Sequence, residues 1–202
     1  MTAGADKPFA PASARNAAPI LEALEVELAD ADNVFEIGAG TGQHAVHFAQ
    51  ALPGVHWQPS DLEDNLPGIR AWRDEAGLPN LAAPVALDVR HDGIPDAKYA
   101  AVYSANTAHI MAQDAVTEMF RIAAGVLEPG GVFCLYGPFR EGGRHNAPSN
   151  AAFDESLKAQ DPAMGIRDLE SLDDLAAREG LVRRSRYAMP ANNQLLVWEK
   201  SA

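Results

Sequence analysis

The sequence predicts an α/β fold, a mostly parallel sheet with helices on both faces. Three observations carry this. Short apolar runs of strand length alternate with longer runs of helical period. The first strand runs through a glycine turn straight into a helix. Gly or Pro closes several of the runs, where strands and helices are expected to stop. At 202 residues and 47% hydrophobic composition, the chain fits one domain with an ordinary core.

In chain order, residues 1–14 are rich in Ala, Pro and Ser and read as a flexible lead-in. A helix is expected from near Asn16, because Ile20, Leu21, Leu24 and Leu28 share one face and Pro19 suits only a first turn. Residues 33–37 form a strand, 43–52 a helix closed by Pro53-Gly54, and 55–58 a second strand, which Pro59 should end. A helix over 62–75 is closed by Gly77, followed by strands at 83–87 and 99–105. A long helix over 113–127 stops at Glu128-Pro129-Gly130-Gly131, before a fifth strand at 132–136. The rhythm then breaks. Residues 137–170 form an insert rich in Gly, Pro, Asn and Ser around a helical piece at 152–160. It lies past the carboxyl end of a strand, where doubly wound sheets bind ligands. A helix over 171–179 precedes two segments, 182–187 and 194–198, that suit an antiparallel hairpin at the sheet edge.

The net charge of −12 repels a phosphate backbone and argues against nucleic acid as partner. Arg183, Arg184 and Arg186, the only tight basic cluster, read as a solvated face. A single cysteine, Cys134, allows no internal disulfide and reads as a buried, inert thiol. No stretch approaches the roughly 20 apolar residues of a membrane span. The first residues do not read as a signal peptide, so cytoplasm is the expected compartment. Nothing in the sequence specifies an oligomeric state.

The strongest chemical signal is Val34-Phe35-Glu36-Ile37-Gly38-Ala39-Gly40-Thr41-Gly42-Gln43. Glycines let the chain turn tightly and let a ligand approach the backbone. In the dinucleotide fingerprint the third glycine comes three residues after the second. Here Gly42 comes one residue early, which disfavours NAD. Glu36 adds a negative charge close to where a pyrophosphate would sit, so a cationic ligand without phosphate fits better. Asp61 lies 21 residues past Gly40, near the roughly 20 expected of a carboxylate that holds ribose hydroxyls. Asp88, after the third strand, suits the adenine amino group, or is a plain loop acid.

These residues, with Leu127-Glu128-Pro129-Gly130-Gly131, resemble the motif series of class I S-adenosylmethionine-dependent methyltransferases over about residues 15–200. The resemblance implies a Rossmann-like seven-stranded sheet with the last strand antiparallel. It implies S-adenosylmethionine as cofactor, with Gly38 and Gly40 lining the methionine part, Asp61 holding the ribose and Asp88 facing the adenine, and with Glu36, Ala39, Gly42, Leu62 and Val89 also at the cofactor. Asn106 matches a position that usually meets the methionine moiety. A narrower set resembles the methyltransferase-like protein 26 family and its bacterial relatives: Arg15-Asn16, Gly42-Gln43-His44, Trp57-Gln58-Pro59-Ser60-Asp61, Asn106 with Ala108-His109, Tyr136-Gly137-Pro138, Ser149-Asn150 with Phe153-Asp154, Arg167-Asp168 and Met189-Pro190-Ala191-Asn192-Asn193. Met164 stands where such relatives carry Trp.

Methyl transfer from a sulfonium is an in-line displacement, in which the protein mainly aligns acceptor and methyl. A base is needed only if the acceptor must lose a proton. His109, close behind Asn106, is the candidate base, since an imidazole titrates near neutrality; packing under a loop is its alternative role. Tyr136, ending the fifth strand, is the second catalytic candidate. Asn150, Asp154 and Arg167 in the insert are expected to bind the acceptor, with Arg15 and Asn16 closing the pocket; a helix cap is the alternative for Asn16. Asn192 and Asn193 read as a turn. His44 and His47 fall three apart on one helix but lack an evident third ligand, so no metal is expected. The reading is a methyltransferase acting on a small molecule. A non-catalytic S-adenosylmethionine-binding scaffold and a nicotinamide oxidoreductase are the competing classes.

Overall fold

The computed structural model describes residues 7–201. Residues 1–6 of the expected lead-in lie outside the described residues. The first helix, α1, spans Pro11–Glu27, starting five residues before the expected point. Pro11 sits at the first helical position, where its missing N–H has no intrahelical partner to lose. Pro19 therefore falls inside α1, not in its first turn, and removes one donor from the helical ladder. The helix holds because it buries Ala17, Ile20, Ala23 and Leu24 in one stripe, with polar Asn16 and Glu27 at its ends.

Strand β1 (Asn33–Ile37) leads through the glycine turn into α2 (Gln43–Ala51). Then come β2 (His56–Asp61), a single 3-10 turn, α3 (Leu66–Ala76), the two-residue β3 (Val85–Ala86) and β4 (Tyr99–Ala105). Helix α4 (Gln113–Val126) precedes β5 (Leu127–Gly137). The insert holds β6 (Phe139–Glu141), β7 (Arg144–His145), α5 (Pro148–Gln160) and β8 (Arg167–Asp168). The chain closes with α6 (Leu169–Arg178), β9 (Leu181–Met189) and β10 (Asn193–Lys200).

The main sheet has seven strands in the order β3-β2-β1-β4-β5-β10-β9. The first five run parallel, and β10 pairs antiparallel with both β5 and β9. The insert forms its own three-stranded sheet, β7-β6-β8, which its polar composition does not announce. Pro59 does not end β2. It pairs with Glu36, and Ser60 with Ile37. Trp57 directs both its N–H and its carbonyl to residues 80–82, so Pro59, two residues on, faces the same way. There β3 has not yet begun, and no backbone donor is needed from Pro59.

Alternation along the strands divides the core. Val34, Trp57, Tyr103, Cys134 and Tyr136 face α1 and α2, packing on Leu24 and Phe48. Phe35, Val102, Phe133 and Trp198 face α4 and α6, packing on Phe120 and Leu172. Each face seals water from one side of the sheet. Both leave the carboxyl ends of β1, β2, β4 and β5 at a common edge. No helix among the described residues is long and apolar enough to cross a membrane.

Candidate functional site at the carboxyl edge of the sheet

The glycine turn is shaped by three left-handed glycines, Gly38 (φ 74°), Gly40 (φ 59°) and Gly42 (φ 88°). Their surroundings differ. A Cβ on Gly38 would lie 2.5 Å from Thr107 Cγ2, and one on Gly42 2.9 Å from the Ile69 Cα. Those two glycines allow the turn to pack against β4 and α3. A Cβ on Gly40 would meet nothing within 4 Å. Gly40 is thus the glycine whose missing side chain leaves open space at the surface. Ala39 is buried with Leu66 and Ile69 beneath the turn.

Asp61 ends β2 beside this opening. Its Oδ2 accepts the Gly40 N–H at 2.6 Å, and its Oδ1 accepts from Leu62 N–H and Asn65 Nδ2 at 2.7 Å each. The carboxylate therefore fixes the turn and still has lone pairs toward the opening. Leu62 next to it is half exposed, an apolar surface beside a carboxylate. Asp88 lies two residues past β3 and folds onto its own loop, accepting from Arg90 N–H (3.0 Å) and pairing with His91 Nδ1 (2.8 Å). Those hydrogen bonds, His91 first, hold its carboxyl below the usual range. Val89 is buried in the α4-side core. Asn106 takes a positive φ of 59° and donates its N–H to the Tyr136 carbonyl at 2.9 Å, a strained position at the end of β4.

Glu36 is 2% exposed and accepts Trp57 Nε1–H at 2.8 Å. Burial raises its pKa from 4.5 to about 8, against the Trp57 bond, with Asp61 adding repulsion. The sequence alone leads one to expect a negative charge on Glu36 at the turn. In the structure it is a mostly protonated acid beneath the turn, because no basic side chain among the described residues pairs with it.

A second polar group lies on the α1 side of the same edge. His44, in the first turn of α2, places Nε2 2.7 Å from Asn16 Oδ1 and 3.2 Å from the Ser13 carbonyl, with Nδ1 3.3 Å from Tyr103 OH. Burial lowers its pKa to about 4, so the ring is neutral. The Tyr136 phenol accepts from Asn193 Nδ2 at 3.0 Å, and the nearby Asn16 amide acts to lower its pKa. Sequence reasoning reaches Asn16 and Tyr136. It considers His44 only as a metal ligand and Asn193 only as a turn, and it misses Tyr103. The available signal is the position of His44 immediately behind the glycine turn.

The insert candidates are tied into the protein itself. Arg167 donates to the carbonyls of Ala108 (2.9 Å), Met111 and Ala163 (3.0 Å), bracing the loop after β4. Asp154 accepts from Ile166 N–H (2.6 Å) and Lys158 Nζ (2.6 Å), and His145 Nε2 lies 3.4 Å away. Burial pushes its pKa up, but these partners outweigh that and leave it lowered. Asn150 Nδ2 donates to Asn146 Oδ1 (2.7 Å) and the Asn192 carbonyl (3.1 Å). His109 is buried edge-on to Phe153, with centroids 5.3 Å apart. Burial, then Arg167, lowers its pKa to about 4. Arg15 is exposed on α1.

The fold defines a class: a Rossmann-like methyltransferase fold, shared with solved S-adenosylmethionine-dependent methyltransferases. An O-methyltransferase family protein from Burkholderia thailandensis matches with TM-score 0.82 and 16% identity over 95% of this chain and 58% of that chain. The S-adenosylmethionine-dependent methyltransferase SibL, in its apo form, matches with TM-score 0.79 and 22% identity, covering 94% and 56%. Human N-acetylserotonin methyltransferase, in complex with S-adenosylmethionine, matches with TM-score 0.79 and 14% identity, covering 95% and 53%. The chain thus spans a little over half the length of these proteins, and at such identities the likeness concerns the fold. By sequence, residues 7–200 match the family described as protein of unknown function (DUF938), and the chain belongs to that family.

Proposed function

We propose that the protein binds S-adenosylmethionine at the glycine turn and transfers its methyl group to a small-molecule acceptor at the adjoining polar group. The observation that carries this is the opening at Gly40 beside the Asp61 carboxylate, at the carboxyl edge of a sheet with methyltransferase topology. The narrower resemblance to the methyltransferase-like protein 26 family points the same way and names no acceptor.

The residues fit the cofactor. Gly40 leaves room for a ligand against the backbone, Asp61 has lone pairs for ribose hydroxyls, and Leu62 offers an apolar face for a base. Asp88, two residues past β3, stands on the adenine side with Val89 packed in the core behind it, and Asn106 lies just past β4 for the methionine part. Glu36, a buried and mostly protonated acid, supports the turn from beneath and brings no fixed charge to the ligand. The bound cofactor would supply a methyl group on a sulfonium, a good leaving group.

The chain's own part is to hold and orient the acceptor. Tyr136 and Asn16 are the side chains best placed for it, and Arg15 lies at the rim. His109 is a weak proton acceptor at a pKa of about 4, so we read it as a packing and hydrogen-bonding residue rather than a general base. We read Arg167, Asp154 and Asn150 as the frame of the acceptor pocket rather than its lining. With no poised base in this reading, the acceptor attacks with a lone pair that is already free.

Calorimetric titration with S-adenosylhomocysteine, with NAD in parallel, tests the reading. Micromolar binding of the first and none of the second is expected. Asp61→Ala should weaken that binding by roughly 1–3 kcal/mol, as for a lost buried partner. Absence of binding, or unchanged affinity in a folded Asp61→Ala variant, would overturn the cofactor assignment.

A further inference from the structure

The Asn193 amide donates to the Tyr136 hydroxyl at 3.0 Å and leaves its hydrogen unpaired, and from this we propose that the Tyr136 hydroxyl donates to a lone-pair-bearing oxygen or nitrogen of the acceptor and selects for it. The inference deepens the methyl-transfer reading and rests on it for the identity of the site. Each step follows from groups that can only accept. The Ser13 carbonyl lies 3.2 Å from His44 Nε2, so that nitrogen carries the hydrogen. Nε2–H then donates to Asn16 Oδ1 at 2.7 Å, and Nδ1, left with its lone pair, accepts from Tyr103 OH at 3.3 Å. The oxygen of Asn16 is thereby assigned, and its amide group acts to lower the pKa of the Tyr136 phenol. On the other side, Asn193 Nδ2 lies 3.4 Å from the Pro190 carbonyl and 3.0 Å from Tyr136 OH, so the amide is again the donor.

The Tyr136 oxygen therefore accepts one N–H, from Asn193. Its own hydrogen has no acceptor among the described residues. Buried at the end of β5 and oriented by the Asn193 amide, the phenol offers one thing to a ligand, its O–H. Desolvation raises its pKa despite the lowering effect of Asn16 and Asn193, so it stays a donor rather than becoming a phenolate. An acceptor molecule with a carbonyl, carboxylate or ether oxygen, or a pyridine-type nitrogen, satisfies it. An ammonium in that place has no lone pair and leaves the O–H unpaired, which costs affinity. His44 acts through Asn16 and is a positioning residue.

The test uses the full chain with ligand-observed NMR and three probes: benzamide, benzoate and benzylammonium. Benzamide or benzoate should bind at least about tenfold more tightly than benzylammonium, the size of one well-placed buried hydrogen bond. Tyr136→Phe, which keeps the ring, should remove that preference. If this variant fails to fold, Asn193→Ala, which removes the donor that orients the hydroxyl, should reduce it. On the wild type, nitrogen-15 NMR of His44 should read the Nε2–H tautomer, unchanged from pH 8 down to about pH 5. Equal binding of benzylammonium, a preference intact in Tyr136→Phe, no binding of any probe at about 10 mM, or the opposite His44 tautomer would overturn the proposal. Titration of the wild type with S-adenosylhomocysteine is read separately. Its failure defeats the cofactor assignment, whereas the probes decide the role of Tyr136.

Discussion

Glu36→Gln is expected to make the protein more stable, and more so as pH rises. Folding moves the Glu36 pKa from 4.5 to about 8, chiefly by burial. Below pH 4.5 both folded and unfolded chains hold the proton, and the acid costs nothing extra. Between 4.5 and about 8 the unfolded chain releases it while the folded chain keeps it. The folded state then binds more protons, so stability falls with pH across that window. At about 1.4 kcal/mol per unit, the loss reaches about 1 kcal/mol at pH 5 and about 3 kcal/mol at pH 7. The substituted amide would be neutral throughout and could still accept the Trp57 N–H. Urea unfolding of wild type and variant at pH 5, 6, 7 and 8 reads the difference. It should start near 1 kcal/mol and climb about threefold by pH 7. A difference that stays flat would mean that Glu36 is already ionised in the folded protein and would refute the argument.

Gly40→Ala should cost about 1 kcal/mol from its left-handed φ alone yet abolish S-adenosylhomocysteine binding. Gly42→Ala should cost about 2–3 kcal/mol because its Cβ meets backbone at Ile69, and paired unfolding and calorimetry separate the two. Arg167→Ala should destabilise by about 2 kcal/mol, since it leaves three carbonyls short of a donor, with S-adenosylhomocysteine affinity within about twofold of wild type. His44 and His109 both have pKa values lowered to about 4, so the unfolded chain protonates first and stability falls as pH drops from 6.5 toward 4. Set against Glu36, these two place the stability maximum near pH 6.5; replacing both histidines with Gln should flatten the acid limb in a thermal-melt series.

What the sequence discloses and what it hides follow from how far apart the partners lie. The glycine turn and β1 are written in consecutive residues, and the left-handed positions need glycine wherever the chain continues. Asp61 is found by counting from Gly40, because β1, α2 and β2 form one short unit whose length sets that spacing. The closing hairpin of β9 and β10 shows as two strand-length segments around the Asn192-Asn193 turn, the second of them apolar. By contrast, Pro59 reads as a terminator unless one knows that β3 starts late and needs no donor from it. The early start of α1 is obscured because Ala, Ser and Pro read as loop residues, and only the packing of its apolar stripe decides otherwise. The roles of Arg167 and Asp154 depend on carbonyls and amides that carry no sequence identity at all. The group around Tyr136 draws on α1, α2, β4, β5 and β10, and no local pattern announces it.

The long-range ties also explain how an insert that faces inward to its own bonds bears on the chemistry. Asn150 Nδ2 holds the Asn192 carbonyl at 3.1 Å, and Asn146 Nδ2 holds the same oxygen at 3.0 Å. Ala191 and Asn192 both have positive φ, near 60°, so the turn is strained and would relax if released. The next residue is Asn193, the donor to Tyr136. The insert thus acts on the phenol through one strained turn. Asn150→Ala should therefore lower the preference of the protein for benzamide over benzylammonium about threefold, less than Tyr136→Phe, because Asn146 keeps part of the clamp. The double variant should be no worse than Tyr136→Phe alone. If Asn150 instead contacts the ligand directly, the two losses would add, and the coupling through Asn192 would be wrong.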